Sequence, residues 1–280
     1  MVTMVTTDRA DAGAPIMVTV PSKDGTTIAA WRSGTGPALV LVHGTTVDHT
    51  AWDGVRPALE PSFTLYAMDR RGRGGSGDGP TFSVEREAED VAAVVESIDG
   101  AVHVVGHSYG ALPILEAARL TSNVASLVLY DPPAISMGSD ELPPGLLEEL
   151  EGLIAQDRRD EAAGRVYQRI LGRSPEEIEQ VRAEPSWSSR VASAHTVPRE
   201  LRAGLEYRFA WNGARAIEQP TLLLTGELSP PRLRASVAAL HAVLPTSRVA
   251  ILQGQGHAGL RTAPNLVAAE VHDFLRPGAA

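Results

Sequence analysis

The sequence predicts an α/β fold: a mostly parallel, buried sheet with helices on its faces and one helical insertion. Three observations predict it. Short runs rich in Val, Leu and Ile recur between Gly, Pro, Asp and His, as expected of strands covered on both faces. Helical patterns separate those runs, which is the rhythm of repeated strand–helix crossovers. And the pentapeptide Gly106-His107-Ser108-Tyr109-Gly110 stands between an apolar run and a helix-like stretch, where a sharp turn must pass the chain from strand to helix.

In chain order, Ile16 to Val20 and Thr27 to Trp31 read as an opening hairpin around Lys23-Asp24-Gly25, since Asp-Gly is a strong turn signal. Strands follow at Ala38 to Val42, Thr64 to Met68, Val102 to Val105, Leu127 to Tyr130, Thr221 to Leu224 and Val249 to Leu252. Helices fit between them at Val84 to Ser97, Ala111 to Leu120, Arg232 to Leu244 and Pro264 to Leu275. In the last of these Val267, Val271, Phe274 and Leu275 share one face. The rhythm breaks from Pro132 to about Gln219, which holds no convincing strand. There Leu146, Leu147, Leu150, Leu153 and Ile154 keep helical spacing, and a short helix is expected around Val166, Tyr167, Ile170 and Leu171. Ser174-Pro175-Glu176-Glu177 is a capping box with proline at the first helical position.

Composition bounds the function. The chain has 280 residues, 43% of them hydrophobic, and a net charge of −9, which is enough for one large core and is the wrong sign for a nucleic-acid footprint. The one dense basic run, Arg70-Arg71-Gly72-Arg73, is short and directly follows Asp69. Met1 to Ile16 mixes charges with small residues and has no continuous apolar core, so no signal peptide is read, no membrane span is expected, and the expected location is cytoplasmic. Without cysteine there is no thiol nucleophile and no cysteine-built metal site. No cofactor or metal is called for.

The pentapeptide is a G-x-S-x-G nucleophile elbow, which makes Ser108 the candidate nucleophile. A serine hydroxyl needs a base, and the base an orienting group. His257 lies in Gly254-Gln255-Gly256-His257-Ala258-Gly259, after the last strand and before the last helix. In a parallel sheet, loops after the strands' C-terminal ends gather on one edge, Ser108 among them. Two carboxylates reach that edge: Asp131, directly after Leu127 to Tyr130, and Glu227, after Thr221 to Leu224. Asp131 is preferred because its position is fixed by the strand it follows; Glu227 is the alternative acid. The oxyanion donors are expected from the backbone N–H of Tyr109 and of Thr45, after Leu41-Val42-His43-Gly44. Thr46 is the fallback donor and a candidate substrate contact. His49, His195 and Trp187 are further candidate lining residues. His103, His241 and His272 lie within predicted elements and read as structural; His107 is read as turning away from the site.

With these residues in place the chain resembles the α/β-hydrolase superfamily from about residue 17 to 276. The resemblance rests on four ordered motifs: the strand ending His43-Gly44 with Trp52 downstream, Asp69-Arg70-Arg71-Gly72-Arg73-Gly74-Gly75-Ser76, the elbow, and His257. It implies an α/β-hydrolase fold: an eight-stranded, mostly parallel sheet flanked by helices, with one antiparallel strand. It also implies a core of residues 1–131 and 220–280, with residues 132–219 as a helical cap. One departure stands out. Where the family commonly keeps an aspartate after the seventh strand, this chain has Leu228 and Ser229; relatives that carry the acid after the sixth strand correspond to Asp131.

The expected function is a serine hydrolase that cleaves a carboxylic ester, thioester or lactone through an acyl-enzyme. Its partner would be a small molecule with an apolar portion, suggested by cap residues such as Leu146, Leu150 and Tyr167. Carbon–carbon bond hydrolysis, cofactor-independent oxygenation or lyase chemistry reuse the same scaffold. A ligand-binding or receptor-like protein with slow turnover is the alternative from another class. Nothing in the sequence reads as an oligomeric state.

Overall fold

A computed structural model describes residues 5–6, 13–133 and 142–276. All eight expected strands are present as β2 (Ile16–Pro21), β3 (Thr27–Gly34), β4 (Ala38–Val42), β5 (Thr64–Met68), β6 (Val102–His107), β7 (Val124–Tyr130), β8 (Thr221–Gly226) and β9 (Ser247–Leu252). A two-residue strand, β1 (Val5–Thr6), precedes them and makes the sheet nine-stranded. The order is β1-β2-β3-β5-β4-β6-β7-β8-β9. From β5 through β9 every pairing is parallel, and β3 lies antiparallel between β2 and β5. Most of the N-terminal stretch read for a signal sequence, and residues 134–141 of the expected cap, fall outside the described residues.

The central strands are apolar without alternation because both faces are covered. Val40, Val42, Val104, Leu127 and Leu129 pack with the helices Val84–Glu96, Ala111–Leu120 and Pro231–Val243. Leu39, Leu41, Val105, Val128 and Leu224 pack on the other face, under Pro264–Leu275. Between β7 and β8 the described chain is helical. The helices Leu146–Ala155, Arg159–Arg169, Pro175–Arg182, Trp187–Ser193, Val197–Glu206 and Trp211–Ala214 follow one another. The first five bury an apolar cluster of their own around Leu146, Leu150, Val166, Trp187 and Leu201. The capping box at Ser174 forms in both directions with Glu177. No described helix is long and apolar enough to cross a membrane.

Because β4, β6, β7 and β8 are parallel neighbours, the loops after Val42, His107, Tyr130 and Gly226 emerge on one edge of the sheet. Asp69, at the end of β5, organises the next loop: it accepts from Trp31 Nε1 (2.9 Å), Gly75 N (2.9 Å) and His49 N (2.9 Å). Arg70, Arg71 and Arg73 all turn inward and are at most 2% exposed. The basic run is therefore interior ion-pair scaffolding, with Arg71 forked onto Asp90 (2.6 and 2.7 Å).

Candidate active site

Ser108 sits between β6 and the helical stretch that runs into Ala111–Leu120, with φ +53°. Such a left-handed conformation is unfavourable for a residue with a Cβ, by about 1–3 kcal/mol. Four described non-glycine residues have positive φ, and three of them, Thr46, Ser108 and Asp131, belong to this edge, so the strain concentrates where the loops converge. The turn is tight because Gly110 permits it. A Cβ there would stand 2.4 Å from the carbonyl oxygen of His43 and 2.5 Å from that of Val42.

Asp131 is wholly buried, and its backbone N–H is tied to Leu224 O (2.8 Å). Its carboxylate accepts from Thr225 Oγ1 (2.6 Å) on one oxygen, and from Ser229 Oγ (2.7 Å) and His257 Nδ1 (3.0 Å) on the other. Burial pushes its pKa up, but the donors from His257, Thr225 and Ser229 outweigh burial and hold the carboxyl below its ordinary range. An ionised carboxylate only accepts, so Nδ1 of His257 carries the proton and Nε2 is left as the acceptor. Glu227, by contrast, is exposed and accepts from Gly254 N (2.8 Å). The structure brings Asp131, and not Glu227, to His257.

Two aromatic neighbours fix the histidine loop. Tyr130 donates its hydroxyl to Gly256 O and accepts from Gly259 N (3.2 Å), bracketing His257. His107, read from sequence as turning away, instead lies beside the ring of His257 (centroids 4.7 Å apart) and hydrogen-bonds its carbonyl through Nε2 (3.0 Å). Burial, and then the neighbouring His257, lower His107 to about 3. It is therefore neutral and donates from Nε2.

The loop after β4 is braced from beneath. His43 is buried, with Nδ1 on Gly44 O (2.9 Å) and Nε2 accepting from Arg70 N (3.2 Å), a pairing only the neutral ring with its proton on Nδ1 can make. Burial first, and then the cations Arg70 and Arg73, keep its pKa well below the ordinary value. Arg70 grips Glu87 through two 2.9 Å bonds and lies over the Tyr109 ring, 4.4 Å from its centroid. Sequence reasoning missed Glu200. It comes from the helix Val197–Glu206, is completely buried, accepts from Thr45 Oγ1 and Arg73 Nη2, and pairs with Arg70 at 3.2 Å. Burial raises its pKa, but the charges of Arg70 and Arg73 prevail and keep it low, hence ionised.

A cavity of about 240 Å³ opens over this edge, and Ser108, His257, His107, Thr45, Thr46 and Tyr109 all line it. Its walls are mostly apolar and include Val166, Tyr167, Ile170 and Leu201 from the helices between β7 and β8. Three candidate lining residues are elsewhere. His49 is held by Nδ1 on Asp69 (2.8 Å) and stacks on Trp31; His195 bonds Ala192 O (2.8 Å); and Trp187 is buried against Tyr167, with Nε1 on Asp160 (3.2 Å). Each side chain is occupied by packing or by its own element, which keeps it from the cavity wall.

Residues 39–271 match the family described as Alpha/beta hydrolase family. A crystal structure of an alpha/beta hydrolase from Sphaerobacter thermophilus is 35% identical, with a TM-score of 0.80 over 92% of this chain and all of that one. The 2-(acetamidomethylene)succinate hydrolase of Mesorhizobium japonicum is 26% identical over 89% of this chain and 91% of its own length. A probable oxidoreductase, EphD of Mycobacterium tuberculosis, is 36% identical over 107 residues, a stretch that covers 36% of this chain and 18% of that protein.

Proposed function

The chain belongs to the α/β hydrolase family, and on that premise we propose that it is a serine hydrolase cleaving a carboxylic ester, thioester or lactone through an acyl-enzyme. One observation carries the reading: Ser108, at positive φ on its elbow, shares a cavity with His257, whose Nδ1 is held by the buried carboxylate of Asp131. His257 Nε2 takes the Ser108 proton as Oγ attacks the carbonyl, and Asp131 stabilises the imidazolium that forms. The amides of Tyr109 and Thr45 receive the oxyanion. His257 then protonates the leaving group, and water repeats the cycle to free Ser108. The described helices between β7 and β8, within the stretch 132–219 assigned as the cap from the sequence, shield this site from water.

The test is intact mass after incubation with a fluorophosphonate, on wild type and Ser108→Ala in parallel, followed by a panel of esters, thioesters and lactones. A single adduct lost in Ser108→Ala, with turnover on the panel, is the expected result. No adduct on folded protein would overturn the proposal.

A further inference from the structure

The cavity beside Ser108 has a charge opposite to that of the protein. The chain carries a net −9, yet the cavity is lined by Arg173, Arg190, Arg232 and Arg261 and by no aspartate or glutamate among the described residues. Two of the four are compensated nearby, Arg173 by Glu177 (3.0 Å) and Arg261 by Glu184 (3.2 Å). Arg190 and Arg232 have no carboxylate within ion-pair distance among the described residues.

Arg190 is the more constrained of the two. It comes from the helix Trp187–Ser193 and lies over the Tyr167 ring at 5.5 Å. The one hydrogen bond of its side chain among the described residues is a long one, from Nη2 to Ser186 Oγ (3.5 Å). Its Nε is shut off from solvent and has no hydrogen-bond partner among the described residues. A buried donor left unmade is costly and rare in native structures, and a cationic one more so. Arg190 and Arg261 also both border a second cavity next to the first, so the pair stands at the junction of the two spaces.

Resting on the hydrolase reading above, we infer that Arg190, with Arg261 beside it, receives a carboxylate of the substrate. The substrate class is then an ester or thioester that bears an anionic terminus beyond an apolar middle. The guanidinium fork matches a carboxylate in two parallel hydrogen bonds, while Val166, Ile170 and Leu201 pack the apolar span between that anchor and Ser108.

The experiment compares kcat/KM for 4-nitrophenyl pentanoate and mono-4-nitrophenyl glutarate, which have equal acyl length and differ by a terminal carboxylate. A second pair, 4-methylphenyl acetate and 4-acetoxybenzoate, moves the charge to the alcohol side. Wild type is expected to prefer the charged member of at least one pair by tenfold or more, and the preference should shrink in 0.5 M NaCl. Arg190→Gln should lower that preference about tenfold, chiefly through KM, while Arg190→Lys keeps part of it. No preference for charge in either pair, or one that Arg190→Gln leaves intact, overturns the inference. If wild type hydrolyses none of the esters, the hydrolase reading fails separately. Calorimetric titration with monomethyl glutarate then decides: heat seen in wild type and lost in Arg190→Gln supports the anion site, and no heat in wild type refutes it. Should Arg190→Gln not fold, the comparison rests on Arg190→Lys and the salt dependence.

Discussion

Asp131→Asn tests the proposed triad in a way that its surroundings make quantitative. Oδ1 of Asp131 accepts only from Thr225 among the described residues, whereas Oδ2 accepts from both Ser229 and His257. Ser229 Oγ is already an acceptor from Gly226 N (3.0 Å), which leaves its own proton to donate to Asp131. An asparagine therefore fits best with its carbonyl in the Oδ2 place and its NH₂ donating to Thr225, whose hydroxyl can turn to accept. In that orientation His257 keeps its proton on Nδ1 and only the negative charge is lost. Two charges about 4 Å apart at an effective dielectric near 20 interact by about 4 kcal/mol, so kcat/KM on an activated ester should fall by about three decades. Removing the Thr225 acceptor lets the amide turn over, traps the wrong imidazole tautomer and should extend the loss toward ~10⁴. Thr225→Val alone, which deletes one hydrogen bond to the carboxylate, should cost about tenfold or less. Asp131→Asn, Thr225→Val, the double variant and Glu227→Gln are compared by steady-state kinetics, with circular dichroism as a check on folding. Asp131→Asn within threefold of wild type, together with a hundredfold loss in Glu227→Gln, would refute the assignment. Full recovery of activity in the double variant would refute the orientation argument alone.

Three further outcomes follow from the same geometry. Glu200→Gln leaves Arg73 buried without its counter-ion and Thr45 without its charged acceptor. Urea denaturation should report a loss of about 3–5 kcal/mol and kinetics a lower kcat; a change under about 1 kcal/mol would count against the bracing role. His107, lowered to about 3 against an ordinary value of 6.5, binds a proton less readily folded than unfolded. Its contribution to stability is then complete above pH 6.5 and is lost as pH falls from 6.5 toward 3; the urea midpoint should drop less steeply over pH 7 to 4.5 in His107→Gln than in wild type. Gly110→Ala places a methyl against the backbone oxygens of His43 and Val42 and should lower both Tm and kcat, since the elbow and the loop after β4 must part. Unchanged activity in that variant would mean the two loops need not touch.

How much of this was legible in the sequence depends on where the information resides. Parallel strands announce themselves as apolar runs, and once they are placed the sheet itself decides which loops meet. That Ser108, Asp131 and His257 meet on one edge was readable because each directly follows a strand or lies in the loop after one. The two-residue strand β1 is too short to show any period. His107 was misread because a turn at positive φ redirects its neighbours, and nothing local to Gly106-His107-Ser108 says where.

What stayed hidden came from the helices between β7 and β8, whose side chains meet the site only through tertiary packing. Glu200 still left a trace: Val197, Leu201 and Gly204 form the buried stripe of their helix, and Glu200 lies on it. A carboxylate on an apolar stripe is expensive unless a cation waits beneath, and the chain has only one dense basic run to supply it. Ser229 makes the complementary point. It occupies the region where the family pattern keeps an acid, and in the structure its hydroxyl donates to the acid delivered from β7 instead. The departure from pattern was visible in sequence, but its meaning depends on β7 and β8 being neighbours. That adjacency puts the two candidate acid positions side by side, so a carboxylate on one strand and a hydroxyl on the other can exchange the roles of acid and support without moving His257.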